Sequence, residues 1–275
     1  RMERLRGVMR AQKVDLVVLG AGAHLWWLTG VRPHADERPL LLCVTLSYAG
    51  FLMPSLEAES ARQHTNFTFH IWADDQGPDT AFAALLKGAD ATRTKSIVLD
   101  ETMRADFAAL VQDALPNAAR QFTASTIGAL RMRKDADEYN KLKRNALTAD
   151  TAMQAAWAVM RVGMSEDEVA DVVRTAFKTQ GAAPLFYIVG AGGNGAFPHH
   201  HTGETILKSG DAVVMDIGGA MGGYSSDMTR MAVMGTAPDG YQEVHEIVEH
   251  AVHAALPAAS PCGRRHAVAD PSRGV

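Results

Sequence analysis

Residues 2–12, MERLRGVMRAQ, place apolar side chains at helical spacing, and DLVVL at 15–19 follows as a short apolar run. A run of that length reads as a buried strand. LLLCVT (40–45), FLMP (51–54), FTFHIW (67–72) and SIVLD (96–100) repeat the strand signature, with helical stretches near 79–87 and 104–115. Strands alternating with helices predict an α/β layer domain with a largely parallel or mixed sheet. No set of acids, bases and glycine turns is concentrated here, so this half announces no chemistry.

The pattern changes near 127–135. RMRKDADEYNKLKRNA (131–146) leads into a long helix reaching about residue 160, and Asp135, Asp137 and Glu138 suit its positive end. Ser165-Glu166-Asp167-Glu168 spells a capping box, and the helix it starts stops at Gly181, a C′ glycine. Strand signals then take over at FYIVG (186–190), AVVMDIGG (212–219) and YSSDMTRMAVMG (224–235), before a helix over 240–256. The second half therefore reads as α+β, helices first and an antiparallel sheet after. The predicted division is 1–128 and 129–275.

Composition narrows the classes. At 275 residues, two domains are the better prior. With 47% apolar and 21% charged residues, bulk disorder is excluded. A net charge of −4 argues against a general nucleic-acid binder, which would carry a basic surplus. No run approaches the ~18–20 apolar residues of a membrane span. The amino end carries charge with no apolar stretch behind it, unlike a signal peptide. Cys43 and Cys262 are too few for a disulfide framework or a cysteine zinc site; they read as buried hydrophobes in a reducing compartment. The chain starts with Arg and shows no closing element before Val275, which leaves its completeness open.

The informative stretch is 196–235. Gly218-Gly219-Ala220-Met221-Gly222-Gly223 lies between two apolar runs and predicts a tight hairpin. With the reversal centred between Met221 and Gly222, Asp216 stands directly opposite Asp227. Alternation puts Val214, Asp216 and Gly218 on one face with Ser225, Asp227 and Thr229. Opposed carboxylates repel and need a shared proton or a cation, and hard divalent ions prefer such oxygen ligands. A register slip exposing one aspartate is the bland alternative. His199-His200-His201 follows Pro198; in an extended segment His199 and His201 would face one way and His200 the other. Imidazole there could ligate a metal, move protons or donate to a developing oxyanion, or simply be solvated.

Two motifs are decoys. Gly190–Gly195 spells GxGxxG after a strand, but Pro198 follows too soon for the helix that a dinucleotide needs. His245 and His250 nearly complete HExxH, yet five residues apart they lie on different helix faces. Glu243, Glu246 and Glu249 read as a solvated face, and Trp26 and Trp27 as core.

AFPHHHTG, LKSGD, MDIGG and GYSSDMTR resemble the pita-bread metallopeptidases: aminopeptidase P, prolidase and methionine aminopeptidase, with creatinase as a non-peptidase cousin. The likeness is nearest to the Xaa-Pro aminopeptidase and prolidase branch. WLTGV (27–31) and LRMRKDADEYNKLKRNA (130–146) are similar to that branch's amino-terminal domain and domain junction, so the resemblance spans essentially the whole chain. It implies a creatinase/prolidase-type α/β amino-terminal domain followed by an α+β pita-bread catalytic domain, incomplete at its carboxyl end. It further implies two divalent metal ions (manganese first, cobalt or zinc otherwise), a peptide substrate with proline at the second position, a homodimer and a cytoplasmic location. Asp216 matches the first carboxylate ligand and Asp227 the bridging one. His199 matches the substrate-side histidine that stabilises the tetrahedral intermediate, and Thr229 a threonine near the metal water. In such a dimer Arg32 and His34 could reach a neighbour's site.

The family's later ligands, a histidine and two glutamates, have no match. PCGRRHAVADPSRGV (261–275) resembles the approach to them, and His266 lacks the glycine-rich setting, so it is not assigned. The expectation is a metal-dependent Xaa-Pro exopeptidase whose present 275 residues hold metal weakly and hydrolyse nothing. The alternatives are a creatinase-like or other small-molecule hydrolase or lyase on the same fold, and a metal-free binding protein.

Overall fold

The computed structural model describes residues 1–258, and the chain divides between Lys134 and Asp135 into two units. In the first, α1 (Met2–Gln12) turns Leu5 and Met9 inward, and β1 (Leu16–Gly20) is buried at every position. Then follow α2 (Ala23–Thr29), β2 (Leu41–Val44), β3 (Ala49–Pro54), α3 (Ser55–Arg62), β4 (Thr68–Trp72), α4 (Asp79–Gly88), β5 (Ser96–Leu99), α5 (Ala105–Ala114), β6 (Ala119–Phe122) and α6 (Ile127–Met132).

The six strands form one sheet in the order β4-β3-β2-β1-β5-β6. β2 runs antiparallel to both its neighbours, and the remaining pairs are parallel. The sheet is thus mixed, as the alternating pattern predicts. Strand β1 explains its own unbroken apolar run: Val17 and Leu19 enter one core with Leu5, Met9 and Leu25, while Leu16 and Val18 enter another with Phe82 and Phe107. A strand covered on both faces needs apolar residues at every position. Cys43 lies in the second of these cores, and burial pushes its thiol up to about 12. Cys262 and His266 lie outside the described residues.

The second unit begins with α7 (Ala136–Val159) and α8 (Glu166–Thr179), and continues through β7 (Ala183–Ala191), β8 (Ala212–Met221), β9 (Tyr224–Ser225), β10 (Met228–Val233) and α9 (Tyr241–Ala258). Both long helices open with reciprocal capping boxes. Asp135 accepts from the Glu138 amide, and Ser165 from the Glu168 amide, while each glutamate accepts in return. Helix α8 ends as its glycine predicts, with Gly181 at φ +76°.

The sheet is antiparallel, ordered β10-β8-β7 with β9 also paired to β8. Val213, Met215 and Ile217 of β8 pack with Val189 against Ala149, Ala152 and Met153 of α7 and Val173 and Phe177 of α8. The helices therefore cover one sheet face, and Val214, Asp216 and Gly218 belong to the other by alternation.

The hairpin register differs from the sequence expectation. Met221 pairs with Tyr224 and Ala220 with Ser225, so the reversal is centred between Gly222 and Gly223. Both have left-handed backbones, φ +60° and +86°, which a two-residue hairpin loop with the strands' own twist requires. Asp216 consequently pairs with Thr229, not with Asp227.

Gly219 is a second glycine fixed by packing. A Cβ there would lie 2.6 Å from the Phe177 ring, which is fully buried and cannot swing away. Gly219→Ala is expected to lower the unfolding free energy by about 1–3 kcal/mol through overpacking. Urea denaturation checks this; an unchanged midpoint would contradict so close an approach of α8 to β8.

Candidate functional site

Asp216 sits mid-strand in β8, half-buried, and its Oδ1 accepts a hydrogen bond of 2.8 Å from the Thr229 hydroxyl. Asp227 is exposed and lies in the break between β9 and β10. Buried Ser226 carries the ladder across that break: its amide donates to the Gly219 carbonyl at 2.8 Å, and its hydroxyl accepts from the Gly219 amide at 3.1 Å. Pairing resumes at Met228 with Ile217, which leaves Asp227 across from Gly218.

By parity Asp216, Asp227 and Thr229 share the face that α7 and α8 do not cover. The aspartates are diagonal neighbours, a relation that separates residues by about 7–8 Å. Between them Gly218 has no side chain to offer, and a Cβ there would meet the Phe186 ring and the Ser226 carbonyl. Two carboxylates on one open face, one oriented by a hydroxyl, form a donor set suited to hard divalent cations. The turn below them is tied to α7, since Asn145 Nδ2 donates to the Met221 carbonyl at 2.9 Å and the Tyr224 hydroxyl to Glu138 at 2.6 Å.

The triple histidine is not extended. The His200 amide donates to the Phe197 carbonyl at 3.1 Å, closing a turn with Pro198 and His199 at its corners. Proline favours the first corner of such a turn. His199 and His201 are exposed, whereas His200 folds in and its Nε2 lies 2.8 Å from Glu166 Oε2. Glu166, at the first position of α8, is fully buried. Burial pushes its carboxyl up, but bonds from the Ala191 amide, Asn194, His200 and the Gly203 amide outweigh this and hold it below the usual range. Its sequence signal was the capping box, which explains Glu168 but not Glu166.

The GxGxxG segment forms no α-helix: Gly190 and Ala191 are the last two residues of β7, and Gly192–Ala196 is a 3-10 turn. On α9 Glu243, Glu246 and Glu249 are exposed, as a solvated face requires. Trp27 is buried in the first core, while Trp26 is half-buried beneath the Arg32 guanidinium, 5.0 Å from its ring.

Among the described residues, His24, Asp100 and Glu101 place ligand atoms within 4.8 Å of one another, a grouping in the first unit that no sequence spacing announces. Internal bonds occupy most of it. Arg131 can only donate, so His24 Nδ1, 3.0 Å away, accepts. The Nε2–H then points to the Thr123 hydroxyl at 3.2 Å, which donates to Glu101 at 2.8 Å. The guanidinium already supplies the positive charge that a metal would bring.

Two family profiles match the chain: Creatinase/Prolidase N-terminal domain over residues 1–133, and Metallopeptidase family M24 over 140–270. Residues 140–270 thus belong to metallopeptidase family M24, an α+β pita-bread domain, and residues 1–133 form the creatinase/prolidase-type α/β domain that precedes it. It is 29% identical over 254 residues to a probable dipeptidase, PepE, of Mycobacterium tuberculosis, covering 89% of this chain and 66% of that protein. It is 26% identical over 255 residues to an Xaa-Pro dipeptidase of Pyrococcus horikoshii, covering 92% and 69%. Among solved structures, a prolidase from Thermococcus sibiricus matches with a TM-score of 0.83 at 27% identity, over 93% of this chain and 71% of that one. The dipeptidase PepE of Mycobacterium ulcerans matches with a TM-score of 0.86 at 26% identity, covering 93% and 69%. The chain thus spans about two thirds of the length of the curated relatives it matches.

The His24 network carries a pH dependence. Burial, joined by Arg131 and opposed by Asp100 and Glu101, holds its imidazole below the ordinary 6.5. A histidine depressed in this way contributes fully above its unfolded value, and the contribution is lost as pH falls toward the folded one. The stability of His24→Gln should therefore fall less than wild type between about pH 7 and about pH 5. Thermal melts across that range check this; parallel curves would contradict it.

Proposed function

We propose that the chain is part of a cytoplasmic, metal-dependent Xaa-Pro exopeptidase, of prolidase or aminopeptidase P type, acting as a homodimer. The observation that carries the reading is the diagonal placement of Asp216 and Asp227 on one uncovered sheet face, with the Thr229 hydroxyl on Asp216 Oδ1. The family description and the dipeptidase names of the relatives support it. Asp216 and Asp227 are the residues that would hold two divalent cations, manganese first and cobalt or zinc as alternatives. Such ions, when bound, supply Lewis-acid polarisation of the scissile carbonyl and acidify a water.

The chain's own residues do the rest. Asp216, with one oxygen committed to Thr229, has the other free to bind. Asp227 would supply the second carboxylate to the ions. His199, exposed at the corner of its turn, donates to the oxygen on which negative charge develops. The substrate is a peptide with proline at the second position. Two carboxylates alone hold a divalent ion weakly, so the 275-residue chain by itself is expected to bind manganese weakly and to turn over little peptide.

Calorimetry with manganese and cleavage of an Xaa-Pro dipeptide by the protein as its gene encodes it test the reading. Asp216→Asn and Asp227→Asn should each abolish both signals, and Thr229→Val should lower affinity or activity about 10–100-fold. Manganese binding with cleavage of small amidines or betaines but no dipeptide would favour the non-peptidase alternative. Absence of both binding and cleavage would end the proposal.

A further inference from the structure

We infer that Glu166 is a positioning residue that sets the histidine turn, so that its consequence for turnover rests on the function proposed above for His199. The buried carboxylate is saturated from a single segment. Its Oε1 accepts from the Ala191 amide at 2.8 Å and Asn194 Nδ2 at 2.9 Å; its Oε2 accepts from His200 Nε2 at 2.8 Å and the Gly203 amide at 3.3 Å. Residues 191–203, the part of the β7–β8 connection that presents His199, close around one charge. The helix end adds to the same seam, because the Glu166 and Asp167 amides donate to the Thr205 and Gly203 carbonyls, both at 3.0 Å.

A capping role does not explain this. Acidic residues in a first helical turn ordinarily face solvent and gain only from the dipole, and Ser165 and Glu168 already form the cap. Glu166 is instead 0% exposed. The donor pattern also dictates the residue type. An ionised carboxylate offers acceptor sites on both oxygens, while a glutamine amide would turn its own N–H groups toward another donor on one side. Either the Ala191 amide or the Gly203 amide would then lose its partner.

The link to His199 is geometric. The turn is closed by the His200 amide on the Phe197 carbonyl and locked by the His200 ring on Glu166. His199 is the corner between these anchors and Pro198, so its presentation follows from where His200 is held. Thr202 fastens the far side, its hydroxyl accepting from the Val189 amide on β7 at 2.8 Å.

The test compares Glu166→Gln, His200→Leu and His200→Gln in the full natural protein, by amide hydrogen exchange without metal and by dipeptide kinetics with manganese. His200→Leu breaks the clamp at a half-buried position and serves if Glu166→Gln fails to fold. His200→Gln retains a donor toward Glu166. Expected are exchange at least about tenfold faster within 191–203 in the first two variants, a kcat loss of about 10–100-fold with KM nearly unchanged, and recovery of most of both in His200→Gln. Unchanged exchange in the first two variants would overturn the inference, as would faster exchange with full kcat. A wild-type protein that cleaves no Xaa-Pro peptide, yet shows the exchange response, would keep the clamp and overturn the peptidase reading instead.

Discussion

Two consecutive left-handed residues, Gly222 and Gly223, fix which residue of β8 faces which residue of β10. A side-chain period of two means that a slip of one residue on one strand would reverse every side chain across the sheet. The glycines prevent this, because a Cβ at either position meets the penalty of the left-handed region, about 1–2 kcal/mol per residue. The core reinforces the choice, since Met215 and Ile217 fill the space against α7 and α8. Asp216 and Asp227 are the consequence: the same register that buries the apolar set puts both carboxylates on the open face.

The neighbouring parts of the second unit follow a similar logic, in which buried polar groups hold backbone rather than perform chemistry. Asn145 and Glu138 on α7 hold the hairpin turn, Ser226 bridges the break in the ladder, and Glu166 gathers the 191–203 connection. Each is buried and makes hydrogen bonds, Asn145 through its Nδ2 alone. The His24 network plays the same part in the first unit, tying α2, α6 and the end of β5 together. That its members could be drawn as a metal site reflects ligand chemistry alone; Arg131 supplies the compensating charge.

Long apolar runs, the Ser165 capping box and the glycine hairpin were legible in the sequence because each is a local pattern with a local cause. Ala119–Phe122 was not, since its residues are all exposed at a sheet edge and carry no apolar signature. Ala23–Thr29 was missed for the opposite reason: it is short and largely apolar, with no periodicity to mark it as a helix. The aspartate pair was legible as residues but misplaced in register by one step of the turn, which converts direct opposition into a diagonal. The inward fold of the His200 ring and the burial of Glu166 depend on contacts between segments 25 or more residues apart, such as Glu166 with Ala191, and no local pattern announces them.

Paramagnetic broadening by substoichiometric manganese on the isotope-labelled natural protein tests the central claim most directly. Signals of Asp216–Gly218 and Asp227–Thr229 should broaden first, and Asp227→Asn should remove the effect while the signals around His24 stay sharp. Broadening centred on His24, Asp100 and Glu101, or none at the hairpin, would contradict the account.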